Sequence, residues 1–251
     1  MNKRFSNKIA VITGGADGIG KAVAHRLGKE GATVAIMDIN KELLQKTVGE
    51  FKQNGIQAKA YLTNISDEPQ VAEAVGEVEK EWQKIDILVH SAGIVGPTST
   101  KITDYPTAEF DKLYEVNLKG TFLITKYTLK IMEKRGIGRL LLISSMAGKE
   151  GNPGMVGYSA SKAGVIGLVK GVAKEFADTD ITVNGLAPSV IKTPMNGNTS
   201  PEQLAYMTAK IPMKRLGTVD EVAAMACFIV SDENSFSTGF IYDISGGRAT
   251  Y

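Results

Sequence analysis

Short apolar runs alternate along this chain with longer stretches in which apolar residues recur at helical spacing. The first run, Lys8 to Thr13, ends in glycines, and Gly20 to Glu30 then carries Ala24, Leu27 and Gly28 on one side. Thr33 to Asp38 reads as a strand, and Asn40 is placed to cap a helix that runs to about Asn54 and stops at Gly55. Ala58 to Leu62 is the next strand, and Ser66 and Asp67 can cap a helix to about Lys84 with Pro69 in its first turn. Ile85 to Val89, Arg139 to Ser144, Ile181 to Leu186 and Phe240 to Ile244 read as further strands, and Glu109 to Glu133 as one helical stretch. Val34-Ala35-Ile36-Met37 is apolar at every position, which suits a sheet covered on both faces. Strands alternating with helices imply right-handed parallel crossovers, and so a single doubly wound α/β domain with a central parallel sheet and helices on both faces over 1–251. The stretch 188–218 has no strand and carries Pro188, Pro194, Pro201 and Pro212. Ligands bind at the carboxyl ends of such strands, so this stretch is expected to be a substrate lid.

The chain has 251 residues, 43% of them hydrophobic and 22% charged. That size buries about 70% of the unfolded surface, and the composition excludes collagen, coiled coil and disorder. With 29 basic against 27 acidic residues there is no electrostatic case for binding nucleic acid or an acidic membrane. The apolar run Ile9 to Ile12 is too short for a signal-peptide core, and no run approaches a membrane span. Cys227 alone forms no internal disulfide, and with only His25 and His90 beside it no His/Cys metal site is expected. These features predict a cytoplasmic protein acting on a small molecule.

Thr13-Gly14-Gly15-Ala16-Asp17-Gly18-Ile19-Gly20 joins the first strand to the first helix. Gly14 permits the turn, Gly18 lets backbone approach a pyrophosphate, and Gly20 lets helix and strand pack closely. The helix N-terminus then offers N–H groups and its positive dipole end to the anion. The spacing differs from the commoner G-x-G-x-x-G, but the context is the Rossmann-like one. Asp38 ends the second strand 20 residues beyond Gly18, where a carboxylate accepts both ribose hydroxyls of an adenine nucleotide. It would repel a 2′-phosphate, since like charges about 4 Å apart cost about 1 kcal/mol even in bulk water. Ile39 follows, and no Arg or Lys lies within Gly14 to Gly20, so NAD is expected over NADP.

Tyr158 and Lys162 are four apart and share a helix face. An ammonium beside a phenol favours the phenolate, which suits Tyr158 as an acid or base near neutral pH. Ser145 follows the strand Arg139 to Ser144, where its hydroxyl can meet a substrate oxygen, and the pleat points Ser144 the other way. Asn117 lies mid-helix, an unfavourable place for Asn, and is expected to hold a water through its amide.

Taken together, Thr13-Gly14-x-x-x-Gly18-x-Gly20, Ala92-Gly93, Asn117, Ser145, Tyr158-x-x-x-Lys162 and Pro188 with Thr193 resemble the short-chain dehydrogenase/reductases over essentially the whole chain. The resemblance implies Tyr158 as general acid/base, Lys162 as the ribose-binding lysine that lowers the Tyr158 pKa, Ser145 as substrate-orienting and Asn117 as supporting a relay water. It implies a cofactor site from Gly14, Asp17, Gly18, Ile19, Gly20, Asp38, Ile39, Asn64, Ile65, Ser91, Ala92, Gly93, Tyr158, Lys162, Pro188, Ile191 and Thr193, with no metal. It also implies a homotetramer. Three positions depart from the family pattern: His90-Ser91 stands where Asn-Asn is usual, Asn64 where Asp is usual, and Ser189 where Gly follows Pro. The Asn64 carbonyl oxygen can still bond an adenine amino group.

The C-terminus, Asp243 to Tyr251, looks like that of members acting on sugars and sugar acids, including 2-keto-3-deoxy sugar acids. Gly93 to Thr103, Met146 to Met155 and Met195 to Met213 are the stretches expected to set the substrate. Lys149 is either a partner for a substrate carboxylate or a solvated loop lysine. His90 reads as a packed or hydrogen-bonded strand-end residue and Cys227 as core. The rival functions are an NADPH-dependent 3-oxoacyl-[acyl-carrier-protein] reductase and a non-catalytic NAD-binding regulatory protein.

Overall fold

Seven strands form one parallel sheet in the order β3-β2-β1-β4-β5-β6-β7. The structure, a computed structural model, describes residues 3–193 and 201–249. The strands are β1 Ile9–Thr13, β2 Thr33–Asp38, β3 Ala58–Leu62, β4 Ile87–His90, β5 Ile137–Ile143, β6 Asp180–Pro188 and β7 Ile241–Ile244. The helices are α1 Gly18–Lys29, α2 Lys41–Gln53, α3 Glu68–Trp82, α4 Thr107–Leu113, α5 Gly120–Met132, α6 Met146–Glu150, α7 Val156–Glu175, α8 Pro201–Ala209 and α9 Val219–Ile229. None of the described helices is long and apolar enough to cross a membrane.

The strand pleat divides the core into two layers. Ile12, Ile36, Val89 and Leu141 pack on one face against Leu27 of α1, Leu44 of α2 and Val222 of α9. Val11, Ala35, Leu88 and Leu142 pack on the other against Val71 of α3, Leu123 of α5 and Val165 of α7. Both faces are covered, which is why these strands read as unbroken apolar runs. The caps also follow the expected chemistry: Asn40 accepts from Leu43 N at 3.0 Å and Asp67 from Gln70 N at 3.2 Å.

Several boundaries move. α1 begins at Gly18 rather than Gly20, because Asp17 caps it by accepting from Gly18 N at 2.7 Å. β4 begins at Ile87, and β6 reaches Pro188 through its pairing with β7. The stretch expected as one helix from Glu109 to Glu133 is broken into α4, a π-helical turn over Tyr114–Lys119, α5 and a short 3₁₀ turn over Glu133–Arg135. The wide turn holds Asn117, whose side chain bonds sideways instead of facing water. In the expected lid, 188–193 and 201–218 flank the carboxyl edge, and Lys192 N donates to Gly217 O at 2.9 Å. Pro194, Met195 and the rest of 194–200 lie outside the described residues.

β1 sits between β2 and β4, and its connections leave in opposite directions, so a cleft opens beyond its carboxyl end. The glycines there are sterically required. A Cβ on Gly20 would lie 2.1 Å from the Gly14 carbonyl oxygen. Gly14, at φ +60°, passes the Ala92 backbone so closely that a Cβ would lie 2.8 Å from it. Gly20→Ala is expected to destabilise the unliganded chain by about 3 kcal/mol or more in urea unfolding. Gly49→Ala, at an open position within α2, is expected to stabilise it by about 0.5–1 kcal/mol in the same assay.

Candidate active site

A cleft of about 880 Å³ follows the carboxyl edge of the sheet, from Asp38 and Ile39 at one end to Tyr206, Lys210 and Arg248 at the other. Gly14, Asp17, Gly18 and Ile19 line it from the glycine turn, and Asn64, Ile65, Ser91, Ala92 and Gly93 from the ends of β3 and β4. Pro188, Ile191 and Thr193 line it from the end of β6. Gly20 stands behind this wall and packs on Gly14. The glycine turn is braced from below, where the buried Thr47 hydroxyl donates to Ala16 O at 2.8 Å. Asp38 accepts from Ala16 N at 3.1 Å and from Asn40 N at 3.0 Å, which fixes the carboxylate at the mouth of the turn. Because Asp17 takes the Gly18 N–H, the anion-binding end of α1 begins with the N–H of Ile19. The open space over Gly18, where a Cβ would meet only the Thr193 side chain at 3.7 Å, fits the backbone approach a dinucleotide needs.

Ser145 N-caps α6, accepting from Ala147 N at 3.1 Å, and its hydroxyl lies near enough to the Tyr158 hydroxyl to favour the phenolate. Ser144 turns away, donating to Lys162 O at 2.8 Å. Lys162 rises from the next turn of α7, with Nζ 5.9 Å from the Tyr158 ring centroid and donating to Ile143 O at 3.0 Å. Gly93 permits this crowding, since a Cβ there would lie 3.1 Å from Asn117 Oδ1 and 3.4 Å from Lys162 Nζ. Ser145, Tyr158 and Lys162 therefore converge on one wall of the cleft.

Burial controls the protons. It pulls the Lys162 ammonium down to about 8. It raises the Tyr158 phenol above its ordinary value, and the nearby Ser145 hydroxyl opposes this only in part. Contrary to the expected lowering, the Tyr158 phenol stands above its ordinary value, because desolvation outweighs the help its neighbours give the phenolate.

Other expectations are corrected. The Asn117 amide is engaged at both ends: Oδ1 accepts from Ile94 N at 2.8 Å, and Nδ2 donates to Ile94 O at 2.9 Å and Ser161 Oγ at 3.1 Å. It ties the loop after β4 to α7, and both amide N–H donors are spent on protein partners. Asn64 Oδ1 accepts from Ser66 N at 3.1 Å and Ser66 Oγ at 2.8 Å, so the oxygen expected for adenine is taken by its own turn. Lys149 is neither solvated nor aimed at substrate; it pairs with Asp243 at 2.8 Å. His90 is a buried strand-end residue, as its sequence position suggests, with Nδ1 2.7 Å from Thr13 Oγ1. Burial, and then the Lys162 charge, hold His90 down to about 3, so it is neutral at ordinary pH. Ser189 N donates to Ile244 O at 3.0 Å, anchoring the loop beyond Pro188. Cys227 is buried, as expected.

A family model described as enoyl-(acyl carrier protein) reductase matches residues 14–249. The chain is 41% identical, over 99% of its length and 98% of the relative's, to a 2-dehydro-3-deoxy-L-rhamnonate dehydrogenase (NAD(+)) of Sphingomonas sp. (strain SKA58). The chain belongs to the short-chain dehydrogenase/reductases. It is an oxidoreductase of alcohol and ketone groups. It is also 39% identical to a 3-oxoacyl-[acyl-carrier-protein] reductase of Thermotoga maritima, over 97% of this chain and 98% of that one. Its structure superposes on an NAD⁺-bound xylitol dehydrogenase with a TM-score of 0.93 at 30% identity, covering 97% of this chain and 99% of that one.

The stretches expected to set the substrate supply much of the remaining lining of this oxidoreductase's cleft. Asn152, Tyr206 and Lys210 line it from within the stretches Met146 to Met155 and Met195 to Met213, but Lys112 was not expected there and Arg248 was noted only as part of the C-terminal stretch. The available signal was position: Arg248 closely follows the last strand, at the edge where ligands bind. Charge is divided along the cleft. Among the described lining residues, the carboxylates Asp17 and Asp38 come from the glycine turn and the end of β2, and the cations Lys112, Lys162, Lys210 and Arg248 from α4, α7, the segment after α8 and the segment after β7.

Lys162 titrates at 10.5 when free and at about 8 in the fold. Below pH 8 the fold bears the full cost of the buried charge, and that cost is relieved as pH rises from 8 to 10.5, where the unfolded chain binds more protons. Lys162→Met is therefore expected to be more stable than wild type below pH 8, by up to about 3 kcal/mol at ~1.4 kcal/mol per pKa unit. Urea unfolding at successive pH values should show the advantage shrinking toward pH 10.5.

Proposed function

We propose that this oxidoreductase uses NAD to interconvert a secondary alcohol and a ketone on a sugar acid or similar polar hydroxy compound, with 2-keto-3-deoxy sugar acids favoured. The observation that carries the reading is the convergence of the Ser145 and Tyr158 hydroxyls, the buried Lys162 and the glycine turn on one cleft. Asp38, fixed by two backbone N–H groups, supports NAD over NADP, since a 2′-phosphate would meet its charge. The cations at the catalytic end support an acid over a neutral polyol. The rhamnonate-derived acid named for the Sphingomonas relative is of this class.

In oxidation, Ser145 holds the substrate oxygen while Tyr158, as phenolate, removes its proton. Lys162 binds the nicotinamide ribose and shares the proton load with Tyr158. Bound NAD supplies the acceptor for the hydride that leaves the carbinol carbon, and a positive charge that favours the phenolate. Gly14, Gly18, Ile19, Asp38, Ala92, Ile191 and Thr193 would hold it. Asn117 contributes by locking the Ile94 backbone against α7. In this reading the segments 188–193 and 201–218 wall the substrate end, and the assembly is a homotetramer in the cytoplasm.

The Thermotoga relative keeps one second reading open, an NADPH-dependent oxoacyl reductase. Initial rates of NADH formation across sugars, sugar acids, 2-keto-3-deoxy sugar acids and polyols, with NADP in parallel, separate the two. Turnover of an acid with NAD alone is expected. Activity confined to NADPH and oxoacyl thioesters would overturn the proposal. Tyr158→Phe is expected to lose about 10³-fold or more in kcat with NAD affinity kept, and a variant that still turns over would remove Tyr158 from the mechanism.

A further inference from the structure

We infer that Arg248 and Asn152 form the subsite that takes the carboxylate of the substrate, an inference that rests on the acid-substrate reading above. Arg248 is held as a preformed cation. Its side chain is only 10% exposed. Its Nε donates to Glu150 Oε2 at 2.8 Å, and its Nη2 lies 2.7 Å from the same oxygen and donates to Asn152 Oδ1 at 2.9 Å. One edge of the guanidinium is thereby committed. Nη1 makes no hydrogen bond to the described residues and is not sealed from solvent. An Arg fixed on one edge keeps two N–H donors on Nη1 for an anion.

Asn152 supplies the companion donor. Because Oδ1 accepts from Arg248, the amide is oriented, and Nδ2 is left with only a weak contact to Met155 Sδ at 3.9 Å. Both residues line the cleft. Both are also tied to the reacting hydroxyls. Glu150 ends the short helix that Ser145 caps, and Asn152 N donates to Ser159 Oγ at 3.0 Å, beside Tyr158. A single ligand with a hydroxyl at Ser145 and Tyr158 and a carboxylate at Arg248 and Asn152 satisfies both ends of this frame. A neutral polyol leaves the Arg248 donors without an anion.

The test is calorimetric binding of gluconate and of its neutral counterpart glucitol to the full chain loaded with NADH. Wild type is expected to bind gluconate about tenfold or more tightly than glucitol, the difference made by charge-assisted hydrogen bonds. Arg248→Gln should erase that preference by weakening gluconate far more than glucitol, while NADH affinity stays unchanged. Asn152→Asp preserves shape, places a carboxylate beside the subsite and should erase it as well; it decides the matter if the Arg248 variant does not fold. Variants that fold, bind NADH and keep the preference for gluconate would overturn the subsite and leave the acid reading standing. A wild type that does not distinguish the two ligands would overturn the acid reading itself, and the subsite with it.

Discussion

A parallel sheet sealed on both faces leaves the chain one place for polar chemistry, the ends of its strands. Every residue of β1 and β4 is buried, and both core layers are apolar. Polar side chains inside such layers would need partners that apolar neighbours do not supply. Thr13, Asp38, His90, Ser144 and Ser145 accordingly lie at the carboxyl ends of their strands or just past them, and each has a named partner. The order β2-β1-β4 parts the connections at β1, and the cleft follows from that parting.

The same sealing sets the chemistry at the catalytic wall. Lys162 is buried as thoroughly as the core, so its ammonium is discharged more easily than a free lysine's. It keeps one strong contact, the Ile143 carbonyl at the end of β5. Tyr158, half-buried beside it, is pushed toward its neutral form by desolvation. A desolvated phenol and ammonium on one helix face make a pair whose protons respond strongly to any charge brought into the cleft. Asn117 and Gly93 make this crowding possible, the first by clamping the loop after β4 to α7 and the second by having no side chain.

Much of the arrangement was legible from local pattern. Strand periodicity, the Asn40 and Asp67 caps and the glycine turn are short-range effects, and each appears where the sequence places it. Tyr158 and Lys162 share a helix face because four residues span about one turn. What failed did so through side-chain bonds, two of them long-range and one within its own turn. Asn117 spends its amide on Ile94 and Ser161, Asn64 spends its oxygen on Ser66, and Lys149 meets Asp243 on β7. The break of the Glu109–Glu133 stretch into two helices and a π turn belongs with these, because the wide turn goes with a side-chain contact across the fold.

The sequence by itself determined the layer architecture, the glycine turn after β1 and the shared helix face of Tyr158 and Lys162, because propensity, hydrophobic period and helical spacing act over a few residues. Only the tertiary structure decided which polar groups are spent and which remain available. That outcome depends on partners far apart in the chain, as when Arg248 is anchored by Glu150, and on burial, which moves Tyr158 and Lys162 away from their ordinary proton affinities. Hydrogen bonds and desolvation are properties of neighbours in space, and only the folded sheet brings those neighbours together.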